Sequence, residues 1–473
     1  MSSLTTSNVT SGFIDLATFD EIEKYMYGGP DATAYFVRET RKATWFTQVP
    51  VVLSRAAGNP AFNTEWSASI SRAGDYLLQT WLRVTIPAVT YATAGNATNG
   101  TVRWTRNLMH NLVKECQITF NDLVAARFDH YHLDFWAAFT VPAGKQNGYN
   151  NMIGNIPSLI YPVGPTRVVN GVSLLTLPQA TLNLPLPLFY GRDSGVALPT
   201  AALPYNDMRL NFSFRDWSEL LIYQVADGAK GPQQATSSNI VAAPTLSYAN
   251  VWANYAIVSN DERKRMACAP RDILIEQVQS APRQNFISGS NFTPTFDIRF
   301  SHAIKVLFFA ARNSTCKSEW SNYTTVSPIV LPTASCLLDF KNKGLAADPI
   351  SSTSLVYENT ARLSSMGSDY FSLVNPYYHA PVIPYHIGYH CYSYSLDFIC
   401  LDPMGSTNYG KLTNVSIGPD ASVSAQTASG AVPSGVEPTT YNPSYAQTYE
   451  FVVTAVNNNI IRISGGALGF PVL

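Results

Sequence analysis

Between Leu184 and Asp207 a proline-punctuated apolar run, LPLPLFYGRDSGVALPTAALPYND, leads directly into MRLNFSFR. In that last segment Met208, Leu210, Phe212 and Phe214 alternate with Arg209, Asn211, Ser213 and Arg215. A period of two marks a strand with one buried face, because successive side chains leave a strand on opposite sides. The segment predicts a sandwich strand that closes the first half of the chain. A comparable ending, TYEFVVTAVNNNIIRISGGALGFPVL, closes the second.

The rest of the chain repeats the strand signal. ATWFTQVPVVL, EWSASI and DYLLQTWLRVTIP follow Lys42, and VWANYAIVS, DILIEQVQ, FDIRFSHAIKVLFFAAR and YHCYSYSLDFI follow Asn250. Each is rich in β-branched and aromatic residues and bounded by Gly, Pro or Asn, with no βαβ rhythm. Helices are few. Thr18-Phe19-Asp20-Glu21 reads as a capping box for a helix from Asp20 to Tyr27, stopped by Gly28 and Gly29. SNDERKR makes a capped, charged turn, and Asp129 to Thr140, DHYHLDFWAAFT, reads as a short amphipathic helix.

At 473 residues the chain exceeds one ordinary core and suffices for two. These features predict an all-β double jelly roll: two eight-stranded antiparallel β-sandwiches with long loops and a few short helices. The expected divisions are an arm and short helix over 1–30, a first roll over 31–225, a linker over 226–250 and a second roll over 251–473. Residues 1–17 read as a small polar arm, and about 417–441 as a low-complexity loop.

Only 13% of residues are charged, against 46% hydrophobic and 12% aromatic. So little charge over so much apolar content predicts a surface that meets permanent partners or further copies of the same chain. The formal net charge is -1, from 31 basic and 32 acidic residues without a block of one sign, which argues against direct nucleic-acid packaging. MSSLTTSNVTSGF has no secretory pattern, and no apolar run reaches the ~20 residues of a membrane helix, so a cytosolic origin is expected. Cys116, Cys268, Cys316, Cys336, Cys391 and Cys400 lack CxxC spacing and read as reduced thiols. Sequons at Asn8, Asn96, Asn99, Asn211, Asn291, Asn313, Asn322 and Asn414 read as unmodified asparagines in a chain rich in Asn, Ser and Thr.

Three motifs invite chemistry. His130-Tyr131-His132 would put two imidazoles on one face of a strand, as in metal-dependent jelly-roll enzymes, but only Asp134 follows and Phe135, Trp136 and Phe139 suggest a packed helix. His386 and His390 are spaced for a helical zinc pair, yet Pro384 and Gly388 oppose a helix. In Gly191-Arg192-Asp193-Ser194-Gly195 the serine falls one place late for a nucleophile elbow and reads as a turn residue. No catalytic, cofactor-binding or metal-binding residue is therefore expected, and the chain reads as structural. The alternative is a glycan-binding, lectin-like jelly roll using loop aromatics such as Trp320, Tyr377 and Tyr378.

Several quoted blocks, with SGFIDLAT, YMYGG, RWTRNLMHNLVKECQITFNDL, NMIGN, RFSHAIK, SDYFSLVNPYYH, DPMGSTNYGKLTN and NNNIIRISGGALGFPVL, resemble the iridovirus major capsid proteins, most closely those of invertebrate iridescent viruses. The resemblance runs from the N-terminal arm to the last residue. It implies a double jelly roll in a homotrimeric, pseudo-hexagonal capsomer that tiles a large icosahedral virion shell over an internal membrane and is assembled in the host cytoplasm. It also implies trimer-trimer lattice contacts and contacts with penton and minor capsid proteins. Departures from the relatives fall at about 160–180, 226–245, 330–350 and 417–447.

Overall fold

A computed structural model describes residues 2–29, 32, 36, 38, 40–92, 100–162, 167–169, 172–174, 176–225, 232–287, 291–325, 347–430 and 446–470. Met1–Trp45 and Phe46–Leu473 are two separate compact units. In the first unit the arm is helical: α1 spans Ser2–Ala17 and α2 spans Glu21–Tyr27. The capping box of α2 sits two residues later than expected. The Asp20 carboxylate accepts from the Glu21 N–H at 2.7 Å, and Glu23 reaches back to the Asp20 N–H at 3.3 Å. Thr18 is instead spent on the Asp15 carbonyl at 2.6 Å.

The second unit holds sixteen principal strands: β1 Phe46–Val52, β2 Glu65–Ser69, β3 Tyr76–Ile86, β4 Val113–Phe120, β5 Leu123–Asp129, β6 Ala180–Pro185, β7 Met208–Phe214 and β8 Tyr248–Val258, then β9 Arg271–Ser280, β10 Phe296–Asp297, β11 Ala303–Asn313, β12 Ile350–Tyr357, β13 Thr360–Gly367, β14 His390–Ser393, β15 Val415–Ala421 and β16 Tyr449–Ser464. The first eight make two facing sheets in the orders β1-β8-β3-β6 and β2-β7-β4-β5. The second eight repeat the pattern as β9-β16-β11-β14 and β10-β15-β12-β13. Strand for strand this is one topology used twice, the eight-stranded jelly roll. Short pieces such as Arg55–Ala57 and Gln284–Phe286 extend the sheets.

The alternation read in MRLNFSFR is the observed burial: Met208, Leu210, Phe212 and Phe214 are buried and the residues between them half-buried. The strand is not the last of its roll, however. β7 lies inside its sheet, with Leu210 opposite Ala68 of β2 and Ile118 of β4. The roll closes with β8, whose Ala249, Val251, Ala253 and Tyr255 are buried and which pairs β1 from Phe46↔Val258 to Val52↔Trp252. A boundary at 250/251 would cut β8, so the expected linker 226–250 is the connection between β7 and β8, of which residues 226–231 lie outside the described set. The helix Asn260–Cys268 then leads to β9.

Two other expected strands are shorter. FDIRFSHAIKVLFFAAR divides at His302, whose φ of +63° turns the chain between β10 and β11 in opposite sheets. YHCYSYSLDFI stays on the ladder through β14 and the Tyr394 N–H, which donates to the Lys305 carbonyl at 2.8 Å; there Ser393 accepts from the Ser395 N–H and donates to its carbonyl, a local turn that withdraws the following backbone. In the expected low-complexity loop, β15 and a helix Val423–Ala428 occupy the first part, and residues 431–445 lie outside the described set.

Each roll has its own aromatic core. In the first, Trp66 stacks on Phe212 at 4.9 Å and meets Phe214 edge-on at 5.5 Å. In the second, Phe451 of β16 lies 5.1 Å from Phe296 and 6.1 Å from Phe309. Each fully buried ring contributes roughly 1.5–3 kcal/mol of burial free energy.

Candidate functional site

A third apolar cluster belongs to neither core but joins them. Helix α3, Leu108–Leu112, precedes β4, and helix α4, His130–Thr140, follows β5 directly, with the Asp129 carboxylate capping the His132 N–H at 3.0 Å. Tyr131, Phe135 and Phe139 recur every fourth residue and so share one face. They pack on Val306, Phe308 and Ala310 of β11, Cys391 of β14, Val452 and Val456 of β16, and Tyr323, Tyr389 and Phe398. Phe308 is stacked between Phe135 at 5.8 Å and Phe139 at 5.4 Å. A helix of roll one is thus the knob that fills the outer face of a roll-two sheet.

Beside that face of α4, Asp134 gathers four donors onto one fully buried carboxylate. Oδ1 accepts from the Asn107 amide at 3.0 Å and pairs with His110 Nδ1 at 2.7 Å. Oδ2 accepts from Ser321 at 2.7 Å and Tyr323 at 2.8 Å. Two donors come from roll one and two from roll two, so the carboxylate ties the halves together. Burial, then the Asp134 charge, holds the Tyr323 phenol well above its usual range, so it stays a donor. His110 is held in turn by the Tyr149 hydroxyl at 2.6 Å.

Two ion-pair groups and one cation–π group complete the seam. Arg103 meets Glu319 at 2.6 Å with both side chains buried. Trp320 lies between two guanidinium groups, Arg215 at 3.5 Å and Arg312 at 4.0 Å, and donates to the Glu219 carbonyl at 2.9 Å. Glu276 is shared by Lys305 at 2.5 Å and by Arg192 of roll one at 3.0 Å. Buried charges of this kind contribute little net stability when paired, but losing one partner strands the other at a cost of several kcal/mol. They therefore fix a single relation between the rolls.

Gly388 lets two segments of roll two cross closely. Its φ is +99°, and a Cβ there would lie 2.1 Å from the Tyr323 carbonyl oxygen. Gly388→Ala is expected to destabilise the protein by well over ~1 kcal/mol, seen as a lower urea midpoint; an unchanged midpoint would contradict this geometry.

The chemistry-bearing residues read in the sequence are dispersed into this scaffold. His130 and His132 lie on a helix rather than a strand, so their side chains diverge. His130 Nδ1 faces Arg215 at 3.2 Å, whereas His132 packs between Phe128 and Trp136. Burial first, then the nearby arginines, pushes His130 well below its ordinary pKa, and burial followed by Arg192 brings His132 to about 3. Among the described residues no cluster of three or more His, Cys, Asp or Glu is arranged to hold a metal ion. His386 is exposed while His390 is buried in β14. Ser194 is an exposed turn residue whose N–H bonds Asp193 at 2.8 Å. Trp320, offered as a glycan platform, is buried between the two arginines, whereas Tyr377 and Tyr378 are exposed.

One grouping escaped sequence reasoning because its members lie 42 residues apart. His390 Nε2 sits 2.6 Å from Asp348 Oδ2 and 2.7 Å from Ser368 Oγ. A nucleophilic relay needs serine and acid on opposite ring nitrogens. Here both share Nε2 while Nδ1 is buried without a partner among the described residues, so the trio is a clamp.

The depressed histidines give a pH signature. The unfolded chain binds protons on both below pH ~6.5 while the folded chain leaves them neutral, so stability is complete above pH ~6.5 and falls with acid. For His132 alone the loss reaches about 2 kcal/mol by pH 5. Urea midpoints of His132→Phe should fall less between pH 7 and 5 than those of the parent chain; parallel slopes would refute the assignment.

Comparison with known proteins follows the two rolls. The family model "Major capsid protein N-terminus" matches residues 34–258, ending where β8 ends, and the model "Large eukaryotic DNA virus major capsid protein" matches 262–469. The chain is 65% identical to the major capsid protein of Costelytra zealandica iridescent virus, covering 100% of both chains. It is 62% identical to that of Invertebrate iridescent virus 6 and 50% identical to that of Lymphocystis disease virus 1, again over 100% of each. Among solved structures, the PBCV-1 virus capsid matches with a TM-score of 0.70 at 20% identity over 93% of this chain and 100% of that one. The Faustovirus major capsid protein matches with 0.67 at 12% identity over 94% and 95%. At such identities these two similarities bear on the fold alone, a double jelly roll.

Proposed function

Since the chain belongs to the major capsid protein family of large eukaryotic DNA viruses, we propose that it self-associates as a homotrimer whose six jelly rolls form a pseudo-hexagonal capsomer. The observation that carries this reading is the repeated strand order, joined by the α4 seam. Two like wedges held at one angle supply one third of a ring, and threefold rotation closes it through heterologous contacts between roll one and roll two of successive chains.

Capsomers of this form tile an icosahedral shell by trimer-trimer contact, with penton and minor capsid proteins at specialised positions and a membrane beneath. Assembly takes place in the host cytoplasm. The near-neutral charge lets many copies approach without large mutual repulsion, and gives no basis for direct nucleic-acid binding. The role is structural, with no catalytic step. Light scattering on the purified protein tests the oligomer: a mass of about 155 kDa, three times the chain's 51.8 kDa, is expected, and 51.8 kDa would overturn it.

A further inference from the structure

The proline-punctuated segment that opens into β7 has a use that shell building leaves unexplained. Pro185, Leu186, Pro187 and Leu188 form one wall of a cavity of about 750 Å³. The others are α4, through Leu133, Trp136 and Ala137, and helix α5, Ala143–Ile153, through Gly144, Lys145, Gly148 and Met152. Its size falls in the range of roughly 300–1,000 Å³ typical of sites for small organic ligands.

Two features point to an occupant. Gly144 and Gly148 are one helical turn apart on α5, both exposed, and a Cβ on either would meet nothing within 4 Å. Glycine weakens a helix, and here neither close packing nor a positive φ calls for it. The pair keeps the cavity wall bare. The second feature is charge. The cavity is lined by Lys145 and Arg192 and by no carboxylate. Lys145 has no side-chain hydrogen bond or ion pair among the described residues. Arg192 lies 4.2 Å over the Trp136 ring and donates to the Ile399 carbonyl at 3.0 Å. Its counter-ion Glu276, outside the cavity wall, is shared with Lys305, and Asp397 acts on it from further off.

We propose that this cavity binds a long-chain fatty acid, its alkyl chain along the Leu133, Trp136, Leu186 and Met152 surfaces and its carboxylate toward Lys145 and Arg192. An apolar body in a groove with cations and no acid in its lining matches that chemistry on both counts. A neutral alkane would leave Lys145 without a counter-charge, and a small anion would leave the apolar walls wet.

The test is calorimetric titration of the full-length protein, in its purified oligomeric state, with palmitate and with hexadecanol, alongside native mass spectrometry to count bound molecules. One palmitate per chain is expected, with hexadecanol weaker by on the order of tenfold and Lys145→Glu weakening palmitate by a similar factor. Gly148→Leu should abolish binding while leaving the thermal midpoint equal or higher, since it fills open space and improves a helix. Palmitate binding to Gly148→Leu as to the parent protein, or equal binding of palmitate and hexadecanol, would overturn the proposal. So would no palmitate binding together with a changed oligomeric mass in Gly148→Leu, the outcome expected if a second copy of the chain fills the cavity.

Discussion

Replacing Asp134 by alanine is expected to lower the unfolding free energy by about 3–5 kcal/mol, the cost of taking one partner out of a buried, charge-centred network. The carboxylate accepts from Asn107, His110, Ser321 and Tyr323, all of them buried, so its loss strands their polar groups. Two of the donors lie in roll one and two in the loop after β11, so the loss is expected to loosen the rolls from each other before either melts. Urea unfolding read by the fluorescence of Trp320, which lies at the seam, should therefore shift to lower denaturant in Asp134→Ala than an intra-roll probe does. If the Trp320 signal of the variant keeps the parent midpoint, Asp134 is not the tie between the rolls.

Leu210→Asp should be more severe. Leu210 is completely buried at the centre of β7, with Ala68 and Ile118 opposite it in the flanking strands. A carboxylate there has no cation within its sheet face, and the core loses a leucine as well, so the expected cost exceeds ~4 kcal/mol. Expressed Leu210→Asp should appear in the insoluble fraction, whereas Asn211→Asp, on the half-buried opposite face, should remain soluble. Soluble, correctly folded Leu210→Asp would refute the facing of this strand.

The two variants also mark what sequence reading can and cannot reach. Local periodicity carried the facing of β7, since a strand's two faces are written in alternate residues. It also carried the packed face of α4 through Phe135 and Phe139. It could not say against what that face packs, because Phe308 and Phe398 lie far along the chain and no local pattern encodes a contact between rolls. The same blindness misplaced the roll boundary. VWANYAIVS carries a strand signal, but its partners are β1 and β3, far earlier in the chain, and only those pairings assign it to the first roll. His130 and His132 looked like a metal pair only while they were imagined on a strand; a helical backbone separates them, and burial keeps both neutral. In the sequence Asp134 is only the acid that follows the two histidines. Its role emerges only when Ser321 and Tyr323 arrive from the other roll.

The central claim is that one topology, used twice and locked at one angle by α4, makes each chain a third of a pseudo-hexagon. Electron microscopy of the purified protein tests it most directly. Threefold class averages with six similar lobes at near-equal spacing are the expected result. Isolated two-lobed particles, or rings in which paired lobes vary in their mutual angle, would contradict it.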